Sequence, residues 1–208
     1  VCSSDLTHQG AYDIAYLRCI PNMVVMAPSD ENECRQMLYT ATTLEGPAVV
    51  RYPRGIGNGT TAERGMTALP VGRGSVRREG HCGLAILAFG TLLHAVLPIA
   101  ERLDATVIDM RFVKPLDVAL VLQVAAQHRA LITVEENAVQ GGAGSAVAEA
   151  LVAAGVALPL HLIGIPDEFI EHGSREDCLQ LAGLDAAGLA RQIDAWWQTQ
   201  RALQRTGT

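Results

Sequence analysis

The sequence predicts an α/β fold built on a doubly wound, mostly parallel sheet. Three observations carry that expectation. Short apolar runs recur along the chain, most of them bounded by glycine or proline and followed by a stretch with helical spacing. The runs are continuously apolar rather than alternating, as strands buried on both faces are. A glycine-rich stretch with little periodicity, residues 55–80, splits the alternation into a smaller first part and a larger second part.

The elements follow in order. MVVMAP (23–28) reads as a buried strand ending at a proline. SDENECRQMLYTATTLEG follows as a helix, with Ser29 as the expected N-cap and Asp30 and Glu31 suited to a helix start. Cys34, Met37, Leu38 and Ala41 fall at helical spacing, and PAVVRYP is a second strand. The 55–80 stretch reads as a surface connection with a short strand at its end. LAILAF (84–89) opens the second part, with Gly90 and Thr91 as its turn. LLHAVLPIAERL is helical despite Pro98, and ATVIDM (105–110) is the next strand. PLDVALVLQVAAQH (115–128) is a helix with Pro115 in its first turn, a favoured place for proline. ALITVEE (130–136) is a strand, GGAGSAVAEALVAAG a turn and helix, and LPLHLIGIP (158–166) a strand. LDAAGLARQIDAWW (184–197) closes the fold as a helix with Asp185 near its start, and QTQRALQRTGT reads as a frayed tail.

Composition narrows the function classes. Of 208 residues, 49% are hydrophobic and 18% charged, enough apolar material for a core. A net charge of −6 argues against general nucleic-acid binding but leaves room for a local basic pocket. No apolar run has the length of a membrane span, and no signal peptide is visible. The five cysteines, Cys2, Cys19, Cys34, Cys82 and Cys178, show neither a CxxC pair nor metal-ligand spacing. An odd, scattered set predicts reduced thiols in a cytoplasmic setting.

Several residues are candidates for chemistry. GGAGS (141–145) between a strand and a helix can cradle a phosphate, but it lacks the GxGxxG and Walker patterns. The favoured reading is a tight turn with close helix–sheet packing. Glu135 and Glu136 end a strand, where α/β sheets place ligands. As neighbours in a strand they point to opposite faces and do not act as a pair, and one is expected at a surface or interface. Arg111 and Lys114 of RFVKPLD suit an anion or a structural ion pair equally well. In RYPRG (51–55) the proline helps aim Arg54, whose guanidinium offers a bidentate grip on a phosphate or carboxylate; a plain surface arginine is the competing reading. His8 suits proton transfer near neutrality, although five other histidines are present and nothing local favours it.

The order THQGAYDIAYLRCIPNMVVMAPSDENECRQMLY, RYPRG, RFVKPLD, VEEN, GGAGS and GIPDEFIEHG resembles the 1-deoxy-D-xylulose-5-phosphate synthases, thiamine-diphosphate enzymes related to transketolase. The likeness runs from Thr7 to about Trp197. It implies condensation of pyruvate with D-glyceraldehyde 3-phosphate, with loss of CO2, for isoprenoid, thiamine and pyridoxal phosphate synthesis. It implies thiamine diphosphate and Mg²⁺ in a cytoplasmic homodimeric parent, acting on neither nucleic acid nor membrane. It also implies that the cofactor and metal motif lies outside this chain, so that the chain alone is inactive.

By that resemblance His8 matches a histidine implicated in proton transfer, and Arg54 matches the ligand of the aldehyde phosphate. No residue here is assigned to cofactor or metal. The implied division is a partial pyrimidine-binding domain over 1–55, a linker over 56–80, a transketolase C-terminal domain over 81–198 and a tail over 199–208. A sheet cut in this way exposes an apolar edge, which predicts poor solubility. The family pattern departs at its start: Ser4 stands where an Asp is expected and Asp5 where the following Gly belongs, so the aspartate is out of register by one and the glycine is gone. One back-translation of VCSSDL matches the end of a common sequencing adapter, so residues 1–6 are expected to be an assembly artefact. Two other readings share the domain pair: a β-type subunit of a 2-oxo-acid dehydrogenase, and a non-catalytic dimerisation or regulatory module.

Overall fold

The computed structural model describes residues 10–206. A 3-10 turn, Gly10–Tyr12, leads into α1 (Asp13–Leu17). β1 (Val24–Met26), α2 (Glu31–Thr42) and β2 (Ala48–Val50) follow, and β1 and β2 pair in parallel. The cap of α2 is Asp30 rather than Ser29. Asp30 is extended and its carboxylate accepts the Glu33 N–H at 2.8 Å. Ser29 is buried and donates its hydroxyl to Glu33 Oε2 at 3.0 Å.

Residues 51–74 form no helix or strand, yet they are strapped to α2. The Gln36 side chain donates to Gly65 O and accepts from Thr67 N, and Leu69 N donates to Thr40 Oγ1. The connection ends in β3 (Ser75–Arg78), which belongs to the second sheet.

That sheet is built from β4 (Leu84–Phe89), β5 (Thr106–Asp109), β7 (Ala130–Ala138) and β8 (Leu160–Ile165), with β3 on its edge. The order is β3-β5-β4-β7-β8, parallel throughout except for β3. Every residue of β4 and β7 is buried, which is why β4 reads as an unbroken apolar run, while β7 ends on the buried Glu135, Glu136 and Asn137. Helices α3 (Leu93–Leu103) and α7 (Ala186–Thr206) cover one face through Leu93, Val96, Leu189, Ile193 and Trp197. Helices α4 (Val118–Gln127) and α5 (Ala143–Ala153) cover the other through Val121, Val124, Val147 and Leu151. A short α6 (Arg175–Leu181) precedes α7 and opens on a capping box between Ser174 and Asp177.

One expectation fails here. The stretch beyond residue 198 is helical as far as Thr206 rather than frayed. The Arg129 guanidinium lies 5.7 Å over the buried Trp197 ring, and Trp196 stacks on His161, so α7 is held down at the point from which its last turns continue. A strand that the sequence reading did not anticipate, β6 (Phe112–Lys114), leaves the larger sheet and pairs antiparallel with β1, giving the small sheet the order β2-β1-β6. Arg111 makes the turn between β5 and β6 in the left-handed region, at φ 58°, with its N–H donating to Asp109 Oδ1. Phe112 then packs with Met26 and Met37. β2 is one edge of the small sheet, and its residues are only half-buried.

Candidate functional site

In the larger sheet the connection from β4 runs through α3 to β5, and the connection from β7 runs through α5 on the opposite face to β8. The strand order therefore reverses between β4 and β7, and a crevice opens at their carboxyl ends. The chain's own first segment fills this crevice. Ala11 joins the core cluster of Leu92 and Val134, and Ile14 N donates to the Asn137 side chain at 3.1 Å.

Arg51, the first arginine of RYPRG, locks that segment in place. Its side chain is 8% exposed. Nη2 donates to Glu136 O at 2.6 Å and to Gly10 O at 3.3 Å, while Nε pairs with Asp13 at 3.3 Å. The RYPRG strand end, the residues after His8 and the end of β7 thus meet at one guanidinium. Arg54 is exposed three residues further on. His8 lies outside the described residues.

Glu135 and Glu136 point to opposite faces, as expected, but both are buried, so the expectation that one lies at a surface fails. The Glu136 carboxylate takes a fork from Arg175, Nε to Oε1 at 3.0 Å and Nη2 to Oε2 at 2.6 Å. Thr91 completes the set, accepting from Arg175 at 2.9 Å and donating to Glu136 at 3.3 Å. Glu135 turns the other way and accepts the Ala143 and Gly144 N–H groups, each at 2.7 Å. Burial pushes its carboxyl up to about 7, against the pull of those two bonds.

The anion cradle of GGAGS is therefore filled from within. A Cβ on Gly142 would stand 2.3 Å from Glu135 Oε2, and one on Gly144 would stand 2.4 Å from Thr133 Oγ1. Close packing explains these glycines, as the sequence suggested.

Arg111 and Lys114 resolve to structural roles. Arg111 Nε donates to Glu33 Oε1 at 2.6 Å, and Lys114 Nζ donates to the carbonyls of Arg18 and Ile20. Glu33 and Asp109 are buried side by side, with Arg77 at 3.2 Å from Asp109. Burial and the Glu33 charge push Asp109 up to about 7, although Ser29, Arg111 and Arg77 oppose the shift. Cys19, Cys34 and Cys82 are free thiols, but Cys178 is disulfide-bonded, against the expectation of a wholly reduced set.

A cavity of about 970 Å³ adjoins this region, between α2, residues 52–58 and the start of α3. Tyr52, Pro53 and Gly55 line it, as do Thr91 and Arg175. Asn58 hydrogen-bonds to His94 at 2.7 Å on its wall. Among the described residues no group of three or more His, Cys, Asp or Glu is placed to hold a metal ion. Reading the sequence missed Arg51, Thr91 and Arg175. RYPRG pointed to the right strand end, but nothing in the sequence says which of its arginines turns inward, and IEHGSR carries no signal for Arg175.

A family model for the transketolase C-terminal domain matches residues 72–189, and one for the transketolase pyrimidine-binding domain matches residues 5–59. The chain is 58% identical over 199 residues to the 1-deoxy-D-xylulose-5-phosphate synthase of Methylococcus capsulatus, covering 96% of this chain and 31% of that protein. It is 62% identical over 187 residues to the synthase of Albidiferax ferrireducens, covering 90% of this chain and 29% of that one. The chain thus spans less than a third of the length of these relatives. A solved split-gene transketolase, described as an inactive β4 tetramer, superposes with a TM-score of 0.75 at 31% identity, covering 91% of this chain and 62% of that one. The transketolase of Campylobacter jejuni shares the fold at 18% identity, with a TM-score of 0.62, covering 91% of this chain and 28% of that one.

Proposed function

Because the chain belongs to the transketolase family through its C-terminal domain, we propose that it serves as the C-terminal part of a 1-deoxy-D-xylulose-5-phosphate synthase. The parent would condense pyruvate with D-glyceraldehyde 3-phosphate, with loss of CO2, as a cytoplasmic homodimer. The observation that supports this reading is the junction at Arg51. One buried guanidinium ties the residues after His8 to the strand that leads to Arg54.

In this reading Arg54 grips the phosphate of the aldehyde substrate with its two-pronged donor face. Its exposure leaves that face open to a ligand. His8 moves a proton at the substrate oxygen near neutral pH. Arg51 holds Gly10 and Asp13 beside the end of β7. Thiamine diphosphate with Mg²⁺, when bound in the parent, supplies the electron sink for decarboxylation. The described residues do not fit that group. The glycine turn that would receive a diphosphate is occupied by Glu135, and no metal-holding cluster is present among them. The parent's remaining sequence has to provide that seat.

A chimera tests the proposal. Residues 7–206 replace the matching stretch of the Methylococcus capsulatus synthase, and product is assayed with both substrates, thiamine diphosphate and Mg²⁺. An active chimera is expected, with Arg54→Ala raising KM for the aldehyde phosphate at least tenfold and His8→Ala lowering kcat by 10²–10⁴-fold. A folded but inactive chimera rejects the assignment. The free chain is expected to show no turnover in the same assay.

A further inference from the structure

We propose that the cavity between α2, residues 52–58 and the start of α3 is a binding site for an uncharged, largely apolar small molecule, which acts on Arg54 through the chain that forms the cavity wall. The second half of the proposal rests on the functional reading above, which gives Arg54 its role.

Size and lining carry the first half. The volume of about 970 Å³ falls within the roughly 300–1,000 Å³ of small-molecule sites. Leu38, Tyr39, Met66, Leu92, Leu179 and Leu184 give the cavity apolar walls. Four of its lining side chains, Leu38, Tyr52, Ile56 and Met66, are large and exposed, and Ile56 is 98% exposed. A single apolar side chain in water is ordinary, but a group of them around one cavity marks a surface suited to a ligand.

Charge decides the class of ligand. The wall carries both signs, and each of its charged groups is committed to a bond within the chain. Asp30 accepts the Glu33 N–H, Glu31 accepts the Gly59 N–H at 2.8 Å, and Asp185 accepts the Gly188 N–H at 2.9 Å. Arg35 donates to the Arg64 carbonyl at 3.0 Å, and Arg175 is held in its fork by Glu136. His94 is bonded to Asn58. Glu31 Oε2 and Arg35 Nε have no partner, but both are shut away from solvent and out of a ligand's reach. A charged ligand would meet both signs and would have to draw one of these groups from its present bond. An uncharged apolar one gains simply by leaving water.

The same chain forms the roof and carries Arg54. Residues 55–58 cross from α2 to α3, pinned by the Gly59 N–H on Glu31 and by Asn58 on His94. Gly55 and Gly59 take positive φ of 148° and 85°, and a Cβ on Gly57 would run into Glu31 Oε1, so glycine lets the roof lie this close to α2. Tyr52, Pro53, Gly55 and Ile56 line the cavity, whereas Arg54 between them does not. A molecule filling the cavity therefore touches the chain on both sides of Arg54 while leaving its side chain free.

The test uses Nile red, an uncharged dye that brightens in apolar surroundings, titrated into the full chain. Saturable binding at one site is expected, with naphthylmethanol displacing the dye and naphthylmethylamine and naphthoate doing so about tenfold more weakly. Leu38→Glu, which sets a charge on the rim, is expected to weaken dye binding about tenfold; Val152→Glu, an exposed site on α5, is expected to leave it unchanged. If Leu38→Glu does not fold, Met66→Glu is read in the same way. No saturable binding, a folded rim variant that binds as before, or a charged naphthalene that competes as well as the alcohol overturns the proposal. Loss of dye binding in the chimera described above also overturns it, because the parent's remaining sequence then covers the cavity. The Arg54 Nε–H signal in ¹⁵N NMR, assigned by its loss in Arg54→Lys, is expected to shift as naphthylmethanol fills the site. An unmoved signal overturns the action on Arg54. No turnover is measured, so failure here is distinct from failure of the synthase assignment, which shows as an inactive chimera.

Discussion

Asp109 carries a pH dependence that can be read from its surroundings. Its carboxyl is fully buried beside Glu33, and burial followed by that neighbouring charge raises it to about 7 from an ordinary 3.8. Between those values the folded chain holds a proton that the unfolded chain has released. Its contribution to stability is therefore complete below the unfolded value and is lost as pH rises through about 7. The urea midpoint of the native chain is expected to fall between pH 5 and pH 7.5, and Asp109→Asn to flatten that fall. An unaltered slope in the variant means that Asp109 is ionised throughout the range. At this scale the sequence was a partial guide. It offered Arg54 through its motif, but Arg51, of the same type three positions earlier, is the one turned inward to Gly10, Asp13 and Glu136. Burial of that kind is decided by segments 38 and 85 residues away, which no local pattern records.

Among the elements, α5 shows how closely a helix can be seated. Its glycines let it descend onto β7 until Glu135 reaches its first N–H groups. Gly144→Ala places a methyl group 2.4 Å from the buried Thr133 hydroxyl and is expected to cost about 1–3 kcal/mol by urea denaturation. Gly65→Ala, with nothing within 4 Å of the new methyl, is expected to leave the midpoint nearly unchanged. The larger strands were legible because β4 and the first half of β7 are buried, mostly apolar runs. β6 was not, because three residues ahead of a proline carry too little pattern to name a partner, and that partner is in the other sheet. The end of α7 was misread for the opposite reason. Its polar surface resembles a tail, but it continues a helix already anchored at Trp196 and Trp197 by His161 and Arg129.

For the whole molecule, the two parts are joined by more than the segment that connects them. β6 completes the smaller sheet, Arg51 bridges to β7, and Arg111 and Arg77 tie α2 to the end of β5. A protease nick within the exposed residues 55–59 is therefore expected to leave a complex that travels as one species in native size-exclusion chromatography and separates only in denaturant. Separation without denaturant would show that the connection alone holds the parts together. The exchange of β6 also limits how such a chain can be recombined with its relatives. A crossover anywhere between β2 and β6 gives β1 a partner strand from a different parent, even where the connecting loop tolerates the join. Viable hybrids should therefore inherit residues 24–114 as one block, a unit of exchange that straddles the apparent boundary in the sequence.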